Sequence, residues 1–391
     1  MKIGLFTYFA GCNFGENLQV YTSQQFFRSI GHEVWVINYR KDSIPYHYER
    51  YPIEQAVAHK SFVEKRLNLT KLLSQNDVLD YIIENEFDVV AFGADAIWNK
   101  RIREDLFVFT AQWLNGFNHK SDLKVICISP AFMGNTYSEL SNEEKDSFKK
   151  GLENFTYINV RDCWTRDVVN REIMGSDYIK KLNPDPVFLL NDFCVDKWET
   201  SITKGSYYIV TLPCGVTGWE RYMIKKWLRV LREKLHQDGI ILVELPLPEG
   251  VSGFEEFDIT VPYPIDPLQW FLWLKNAKAF IGLRFHAVVS CISAGTPFFS
   301  LDVYGHIPRW LSYLNRVGFH RWDRKLNTGS KIRNLLEGSG LEDYRINGAL
   351  PIGLSPNKIV KMFDNFDMKS LIVFRDKNKA LFKEHMIEAL S

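Results

Sequence analysis

The sequence predicts an α/β protein built from two Rossmann-like domains that face each other across a cleft. Its 391 residues exceed what one hydrophobic core usually supports, because single domains seldom grow beyond ~250 residues. Apolar strands, glycine-containing loops and helical segments alternate from the first residues, and the alternation restarts near residue 207 after a polar stretch. We therefore expect an N-terminal domain at residues 1–190 and a C-terminal domain at residues 191–391.

The N-terminal domain is predicted to open with a βαβ unit. Residues 2–8 form an apolar strand, residues 17–30 have helical spacing that ends at Gly31, and residues 34–37 form the second strand. The apolar start is shorter than the ~7 to 15 residues of a signal peptide core, so we interpret it as a strand. Further strands are predicted at residues 88–92, 124–129, 156–160 and 187–190, with a helix at 163–174. Residues 41–75 lack a clear period and are interpreted as an insertion over the sheet edge.

The C-terminal domain repeats this pattern. Strands are predicted at residues 207–212, 240–245, 279–283 and 297–303, and an amphipathic helix at 219–236. Asp266-Pro267 and Ser355-Pro356 each pair an N-cap side chain with proline at the first helical position, which predicts two helix starts. We expect the last helical segment to cross back onto the N-terminal domain. Two such domains around a cleft define the GT-B architecture.

Composition excludes several classes of function. The chain has 48 basic and 47 acidic residues and a net charge of +1, so no overall field attracts nucleic acid or an anionic membrane. Its six cysteines are scattered without a CxxC pair, which predicts a reduced, cytoplasmic protein without a structural metal. No segment has the ~18 uncharged residues of a membrane span. An anionic ligand must therefore be bound by local groups.

Two strand ends carry groups suited to an anion. In Arg284-Phe285-His286 an apolar strand meets a helix start, so a guanidinium, an imidazole and helix N–H groups come together. Arg161 follows the strand predicted at residues 156–160 and faces the same cleft. Simpler interpretations stay open: Arg284 can pair with a surface acid, His286 can cap its helix, and Arg161 can form a local salt bridge with Asp162.

Two loops are candidates for contacts with a sugar. Asp95 and Trp98 follow a glycine turn after a buried strand, where a carboxylate can orient a hydroxyl and an indole can stack on a pyranose. A capping acid with a packed aromatic side chain is the alternative. The loop at residues 11–17 also faces the cleft, and it contains neither a GxGxxG fingerprint nor a GK[ST] phosphate loop. His236 and His306 have no partners at metal-ligand spacing and are expected to be surface histidines.

Six segments occur in a fixed order: Asn13-Phe14-Gly15-Glu16-Asn17-Leu18-Gln19-Val20-Tyr21, Gly93-Ala94-Asp95-Ala96-Ile97-Trp98-Asn99, Ile128-Ser129-Pro130-Ala131-Phe132-Met133-Gly134, Val160-Arg161-Asp162, Pro184-Asp185-Pro186 and Arg284-Phe285-His286. Together, over residues 2–309, they resemble the polysaccharide pyruvyl transferase family. The resemblance implies a GT-B-like fold and a transferase for surface polysaccharide, exopolysaccharide or capsule, which uses phosphoenolpyruvate as donor and forms a pyruvate ketal.

The resemblance also implies roles for individual residues. His286 and Asp95 would be catalytic, with His286 as the acid–base residue, and Arg284, Arg161 and His286 would bind phosphoenolpyruvate. The C-terminal domain would hold this donor and the N-terminal domain the saccharide acceptor. Acceptor contacts would come from Asn13, Glu16, Asn17, Trp98 and Asn99. No cofactor, metal or nucleic acid is expected, and the cytoplasmic enzyme would touch the inner membrane face peripherally if its acceptor is lipid-linked.

The sequence departs from the family pattern at two places. Ala94 replaces the usual serine, with Ala96 and Ile97 also altered, and no lysine stands between Asp302 and His306, so that His306 or Arg309 would take its place. Two other functions stay open: a GT-B glycosyltransferase that uses a nucleotide sugar, and a saccharide-binding protein without catalytic activity.

Overall fold

The computed structural model describes residues 1–39, 51–74, 76–99, 122–132, 140–198, 200–302, 330–348 and 350–391. These residues form two parallel β-sheets flanked by helices, which confirms the predicted α/β class. Most strand residues in both sheets are apolar, without alternation of apolar and polar side chains, because each sheet is covered on both faces.

The N-terminal sheet has four parallel strands in the order β2-β1-β3-β4. Their bounds are β1 (Lys2–Phe6), β2 (Glu33–Val36), β3 (Val89–Asp95) and β4 (Lys124–Pro130). The helices of this part are α1 (Phe14–Ser29), α2 (Ile53–Arg66), α3 (Asp77–Glu84), α4 (Asn142–Glu153) and α5 (Cys163–Asp167). Helix α1 connects β1 to β2, so the predicted opening βαβ unit is confirmed.

The C-terminal sheet has six parallel strands in the order β10-β9-β8-β5-β6-β7. Their bounds are β5 (Tyr207–Val210), β6 (Ile241–Glu244), β7 (Ile259–Thr260), β8 (Ala279–Gly282), β9 (Phe298–Asp302) and β10 (Arg345–Asn347). The helices are α6 (Leu190–Phe193), α7 (Gly218–Gln237), α8 (Pro267–Asn276), α9 (Phe285–Ala294), α10 (Lys331–Leu336), α11 (Pro356–Asp364) and α12 (Met368–Leu390).

Both predicted cap-and-proline signals mark helix starts. Asp266 accepts a hydrogen bond from the Leu268 N–H at 2.8 Å, and Pro267 is the first residue of α8. Pro356 likewise begins α11, although the Ser355 side chain makes no capping hydrogen bond. Proline fits this position because the first helical N–H has no partner within the helix.

The structure corrects three expected elements. Residues 156–160 make only isolated bridges to neighbouring segments instead of a strand. The strand expected at residues 187–190 is a 3₁₀ turn, Pro186–Leu189, which leads into α6, because Asp185 caps the Val187 N–H and proline fixes the turn. The helix expected at residues 163–174 is α-helical only in α5 and continues as a π-helix, Val168–Met174.

The segment interpreted as an insertion contains helix α2, which links the two sheets. The Gln55 side chain donates to the Ile265 carbonyl at 2.8 Å and accepts from the Ile265 N–H at 2.9 Å, and the side chain is buried. The Phe14 ring lies between the rings of His59 and Trp270, with centroids 5.1 and 5.0 Å away. This segment is therefore a contact between the two halves of the molecule as well as an edge element. Residues 40–50 and 75 lie outside the described residues.

The chain passes between the two halves twice. The first passage follows α6, and the expected division between residues 190 and 191 falls inside that short helix. The second is α12, which returns from the C-terminal half. The Lys124 ammonium of β4 donates to the Leu390 carbonyl at 2.9 Å, and Phe382 packs edge-on against Phe26 of α1 at 5.3 Å. Buried apolar side chains of α1 and the C-terminal sheet form one continuous core.

Candidate active site

Asp95 stands at the end of β3 in an unusual backbone conformation. Its φ is 70°, a left-handed value that a residue with a side chain rarely adopts. Gly93, two residues earlier, has φ 120°, and a Cβ there would lie 2.0 Å from the Ile128 carbonyl oxygen of β4. Glycine is therefore required at position 93 because the strands approach so closely, and the turn that follows directs the Asp95 carboxylate inward.

The Arg161 side chain joins two buried carboxylates. Its Nη1 lies 3.0 Å from Asp95 Oδ1 and 3.2 Å from Asp185 Oδ2, and all three side chains are at least nine-tenths buried. Asp162 instead caps α5 by accepting a hydrogen bond from the Thr165 N–H at 2.7 Å. The alternative of a local Arg161–Asp162 salt bridge is therefore wrong, as is the alternative of Asp95 as a helix cap. Arg161 connects the ends of three separate segments.

Lys331, the first residue of α10, completes the cluster from the C-terminal half. Its Nζ lies 2.7 Å from Asp95 Oδ1, and its side chain is only 8 % exposed. Ser330 caps this helix by accepting from the Arg333 N–H at 3.0 Å, which fixes where Lys331 leaves the backbone. We define Asp95, Arg161, Asp185 and Lys331 as the charge cluster, in which two cations balance two anions.

The charges within this cluster depend on one another. Burial alone would raise the pKa of the Asp95 carboxyl, yet Lys331 and Arg161 hold that pKa well below its usual range. Burial lowers the pKa of the Lys331 ammonium, and the Asp95 charge opposes this effect. Burial would also raise the pKa of Asp185, but His286, Arg161 and the Val187 N–H bring it below normal. Both carboxylates are therefore ionised at neutral pH.

His286, the second residue of α9, lies beside the charge cluster. Its Nε2 is 3.7 Å from Asp185 Oδ2, too far for a hydrogen bond, and within the described residues that nitrogen has no hydrogen-bond partner. The other face of the ring contacts α1, where a Cβ on Gly15 would lie 1.9 Å from Nδ1. The imidazole is thus held between the two halves, so it does not act merely as a cap of its own helix.

Gly15 gives a test of that contact. Alanine stabilises a helix relative to glycine by about 1 kcal/mol, but its methyl group would overlap His286. With His286 as the predicted acid–base residue, we expect Gly15→Ala to leave the protein folded and to lower kcat about 10²-fold, because displacement of a catalytic group by 1 Å can have that effect. Gly11→Ala is the control, since its Cβ would meet only the end of the flexible Glu16 side chain. Equal activity of the two variants in a turnover assay would show that the contact is unimportant.

Phe285 packs against the two cations of the charge cluster. Its ring centroid lies 4.7 Å from Arg161 Cζ and 5.7 Å from Lys331 Nζ, distances at which a ring attracts a cation. Within the described residues, Arg161 Nη2 is buried and lacks a hydrogen-bond partner, as His286 Nε2 does. These two nitrogens are therefore available to bind oxygen atoms of a ligand.

Arg284 lies on the other side of Phe285. It has φ 88°, and it follows a tight turn in which a Cβ on Gly282 would lie 1.8 Å from Thr211 Oγ1. Its guanidinium is half exposed and forms an ion pair with Glu249, so the expected pairing with a surface acid is present. A cavity of about 380 Å³ opens here, lined by Pro213, Cys214, Leu247, Glu249, Leu283, Arg284, Phe285, Leu301, Asp302 and Ile332.

Three of the side chains predicted to contact the acceptor, those of Trp98, Asn17 and Asn99, are buried, so the structure corrects this prediction. Trp98 is 0 % exposed and packs against Phe132 and Phe148, because the apolar residues before it draw the turn into the core. Asn17 is also fully buried, donates to the Phe9 carbonyl at 2.9 Å and pairs with His59. Asn99 donates to the Phe132 carbonyl at 3.0 Å and is 3 % exposed. These side chains satisfy backbone groups or fill the core instead of facing the cleft.

The other two acceptor candidates form a helix cap. Asn13 accepts a hydrogen bond from the Gly15 N–H at 2.9 Å, and its amide donates to Glu16 at 3.0 Å. Both side chains are partly exposed. They therefore stabilise the first turn of α1, the turn that contacts His286, and a role in acceptor binding stays a prediction.

The sequence does not predict a role in the site for three side chains, those of Lys331, Asp185 and Glu249. Lys331 supplies a cation where the sequence between Asp302 and His306 lacks the expected lysine; His306 and Arg309, the suggested substitutes, lie outside the described residues. The sequence indicates Asp185 only as part of an Asp-Pro motif, and no pattern in it indicates Glu249. The serine cap before Lys331 is a signal for a helix start, but it does not indicate the partner of the lysine.

The described residues show neither a grouped metal site nor a membrane-spanning helix. His236 is exposed and lies 2.8 Å from Asp258, which agrees with an ordinary surface histidine. In the part of the chain that the structure describes, no three His, Cys, Asp or Glu side chains are grouped as metal ligands. Across the same ranges, every helix is too short or too polar to span a membrane.

Solved structures of similar architecture define the class of fold. The glycosyltransferase SnogD from Streptomyces nogalater is 13% identical, covers 100% of both chains and has a TM-score of 0.50. The UDP-GlcNAc 2-epimerase from Methanocaldococcus jannaschii is 12% identical over 93% of this chain and 100% of its own, with a TM-score of 0.51. The UDP-GlcNAc 2-epimerase from Neisseria meningitidis bound to UDP-GlcNAc is 12% identical over 100% and 99%, with a TM-score of 0.51. The protein therefore has the GT-B fold.

Sequence comparison identifies the family within that class. A model of the polysaccharide pyruvyl transferase family matches residues 13–304, most of the chain. The chain belongs to the polysaccharide pyruvyl transferase family, which confirms the resemblance drawn from its motifs. No curated protein gave a significant match.

Proposed function

We propose that this transferase moves the pyruvate unit of phosphoenolpyruvate onto two hydroxyl groups of a saccharide to form a cyclic ketal. The observation that carries the proposal is the pair of buried nitrogens, Arg161 Nη2 and His286 Nε2, which lack partners within the described residues. A small, highly charged ligand with several oxygens would satisfy both. Membership of the family supports the same conclusion.

The chemistry needs one acid–base group and local positive charge. His286 gives a proton to the methylene carbon of the enol, which leaves an oxocarbenium-like carbon. A sugar hydroxyl attacks that carbon and gives its proton to the now neutral His286. The bond between that carbon and the phosphate ester oxygen then breaks and phosphate leaves, and a second hydroxyl closes the ring and gives its proton to the phosphate. Asp185 orients the imidazole, and the cations stabilise the departing phosphate. The scheme uses no cofactor.

Arg284 is placed to bind the donor in the 380 Å³ cavity. Its partner Glu249 occupies the guanidinium and adds a negative charge beside the expected position of an anion. Because both side chains are well exposed, the donor can replace Glu249 at little cost. The cavity is therefore a site for the phosphate or carboxylate of phosphoenolpyruvate in which Glu249 competes.

This competition predicts opposite effects of two substitutions. Arg284→Ala should weaken phosphoenolpyruvate binding about 10- to 150-fold, the loss of one charge-assisted contact of ~1.5 to 3 kcal/mol. Glu249→Gln should tighten it about 1.4- to fivefold, since an exposed ion pair contributes ~0.2 to 1 kcal/mol. Calorimetric titration measures both. Weaker binding by Glu249→Gln would mean that Glu249 organises the site instead of competing for it.

The same titration separates the proposal from a nucleotide-sugar glycosyltransferase. Saturable binding of phosphoenolpyruvate that Arg284→Ala reduces supports the pyruvyl transferase. Binding of UDP- or GDP-sugars in its place supports the glycosyltransferase, and binding of glycan without turnover supports a saccharide-binding protein. As a pyruvyl transferase the enzyme would act in the cytoplasm, where phosphoenolpyruvate is formed, on a precursor of capsule or exopolysaccharide, with peripheral membrane contact if that precursor is lipid-linked.

A further inference from the structure

A second and larger cavity shares Phe285 with the cavity that holds Arg284. It has a volume of about 730 Å³, within the range of ~300 to 1,000 Å³ of ligand-binding pockets. One wall is helix α12, another is the end of α10 with the turn after it, and the floor is residues 182–188. We call this cavity the α12 groove.

The α12 wall is a continuous stripe along one face of the helix. The residues that line it recur at intervals of three and four and are Lys369, Ser370, Val373, Phe374, Lys377, Asn378 and Leu381. At 1.5 Å per residue the stripe spans ~18 Å. A groove of this length fits an extended ligand better than a compact one.

The inner end of the groove reaches the candidate active site. Arg161, Asp185 and Phe285 all line it, and Asp185 is the carboxylate nearest to His286. Phe285 also lines the cavity that holds Arg284. The two cavities therefore meet at Phe285, the residue next to His286, as a donor site and an acceptor site must meet near the reacting group.

The lining of the groove is mixed in a way that suits a sugar chain. Apolar side chains such as Val373, Phe374 and Leu335 can cover the C–H faces of pyranose rings. Between them lie amides and charged groups that can bind hydroxyls, among them Asn334 and Lys377. Lys377 forms no salt bridge within the described residues, so its ammonium is available. Neither a purely cationic nor a purely apolar ligand fits this lining.

We propose that the α12 groove binds the saccharide acceptor as an extended oligosaccharide, with the sugar to be modified at the Arg161 and Asp185 end. This inference rests on the proposed pyruvyl transfer and adds the substrate class. It also gives the acceptor a binding surface that Asn17, Trp98 and Asn99 cannot provide, because those side chains are buried. The acceptor thus lies against the helix that joins the two halves, and monosaccharides occupy only its inner end.

Two neighbouring residues of α12 provide a matched test. Val373 is 59% exposed and lines the groove, whereas Ile372 is 41% exposed and does not line it. Val373→Trp should block the groove without touching the charge cluster, and Ile372→Trp should add the same side chain elsewhere. The substrate is radiolabelled phosphoenolpyruvate with a partial acid hydrolysate of the surface polysaccharide of the source organism, separated by chain length.

We expect the wild-type protein to transfer more label to longer fractions than to shorter ones. Val373→Trp, but not Ile372→Trp, should raise the KM for the longer fractions at least tenfold. The dissociation constant for phosphoenolpyruvate and the melting temperature should match those of Ile372→Trp. If Val373→Trp does not fold, Lys377→Ala takes its place, with a KM increase of at least threefold for long fractions.

Three outcomes overturn the inference. They are equal rates for monosaccharide and longer fractions, identical kinetics of the groove variant and Ile372→Trp, or no transfer into any fraction while phosphoenolpyruvate still binds. Failure of the wild-type protein to bind phosphoenolpyruvate would instead overturn the proposed function itself, so the two failures are distinguishable by calorimetry.

Discussion

His286→Gln should lower kcat for pyruvyl transfer by about 10²- to 10⁴-fold, the usual contribution of a general acid–base group. Glutamine is similar in length and keeps a hydrogen-bonding end near Asp185, but it cannot give a proton to carbon. Phosphoenolpyruvate binding should change much less than kcat because Arg284 and Arg161 remain in place. Steady-state kinetics together with calorimetric titration separates the two effects.

The control for this variant is His236→Gln. His236 is an exposed histidine on α7 that pairs with Asp258 and lines neither of the two cavities. The His236→Gln variant should keep the wild-type kcat. A His286→Gln enzyme that turns over at the wild-type rate would remove His286 from the mechanism and leave its burial beside Gly15 as a packing feature.

Lys331→Met should lower the free energy of unfolding by about 3 to 5 kcal/mol, the cost of leaving a buried charge without its partner. Asp95 and Asp185 would then share the single guanidinium of Arg161, and the charge cluster would carry a net negative charge. The same change should weaken binding of an anionic donor. Urea denaturation monitored by tryptophan fluorescence measures the stability.

A double-mutant cycle distinguishes this ion pair from simple packing. Asp95→Asn in the Lys331→Met background should recover part of the lost stability, because it removes the unpaired charge. Lys60→Met, which breaks an exposed pair with Glu64, should cost less than about 0.5 kcal/mol. Additive effects of Lys331→Met and Asp95→Asn would contradict a coupled pair.

The fold is predictable from sequence because its signals are local. Each βαβ unit shows an apolar run, a glycine or capping residue and a helical period within about thirty residues. The secondary-structure predictions that were wrong also have local causes. The apolar run at residues 187–190 is short, and one proline after a capping aspartate turns it into a 3₁₀ helix. Periodicity cannot separate a buried strand from a buried turn of that length.

The site is predictable only in part. Asp95 and His286 can be grouped because each lies at or just after the carboxyl end of a parallel strand, where ligands bind in open α/β sheets. Arg161 joins them although the strand predicted before it is only an isolated bridge. Lys331 lies 236 residues from Asp95 in sequence, and no pattern near it signals the contact. Asn17 and Asn99 look like ligand-binding amides, but they satisfy backbone carbonyls, which only the packed structure reveals.

The Gly15–His286 contact has a consequence for how the enzyme handles its two substrates. Gly15 belongs to the N-terminal half and His286 to the C-terminal half, and the paired hydrogen bonds of Gln55 with Ile265 fix the distance between them. The orientation of the imidazole therefore depends on how the two halves pack together. Helix α12, which forms one wall of the proposed acceptor groove, depends on the same packing. In the proposed reaction, one arrangement of the two halves thus sets both the alignment of the proton donor and the place of the acceptor.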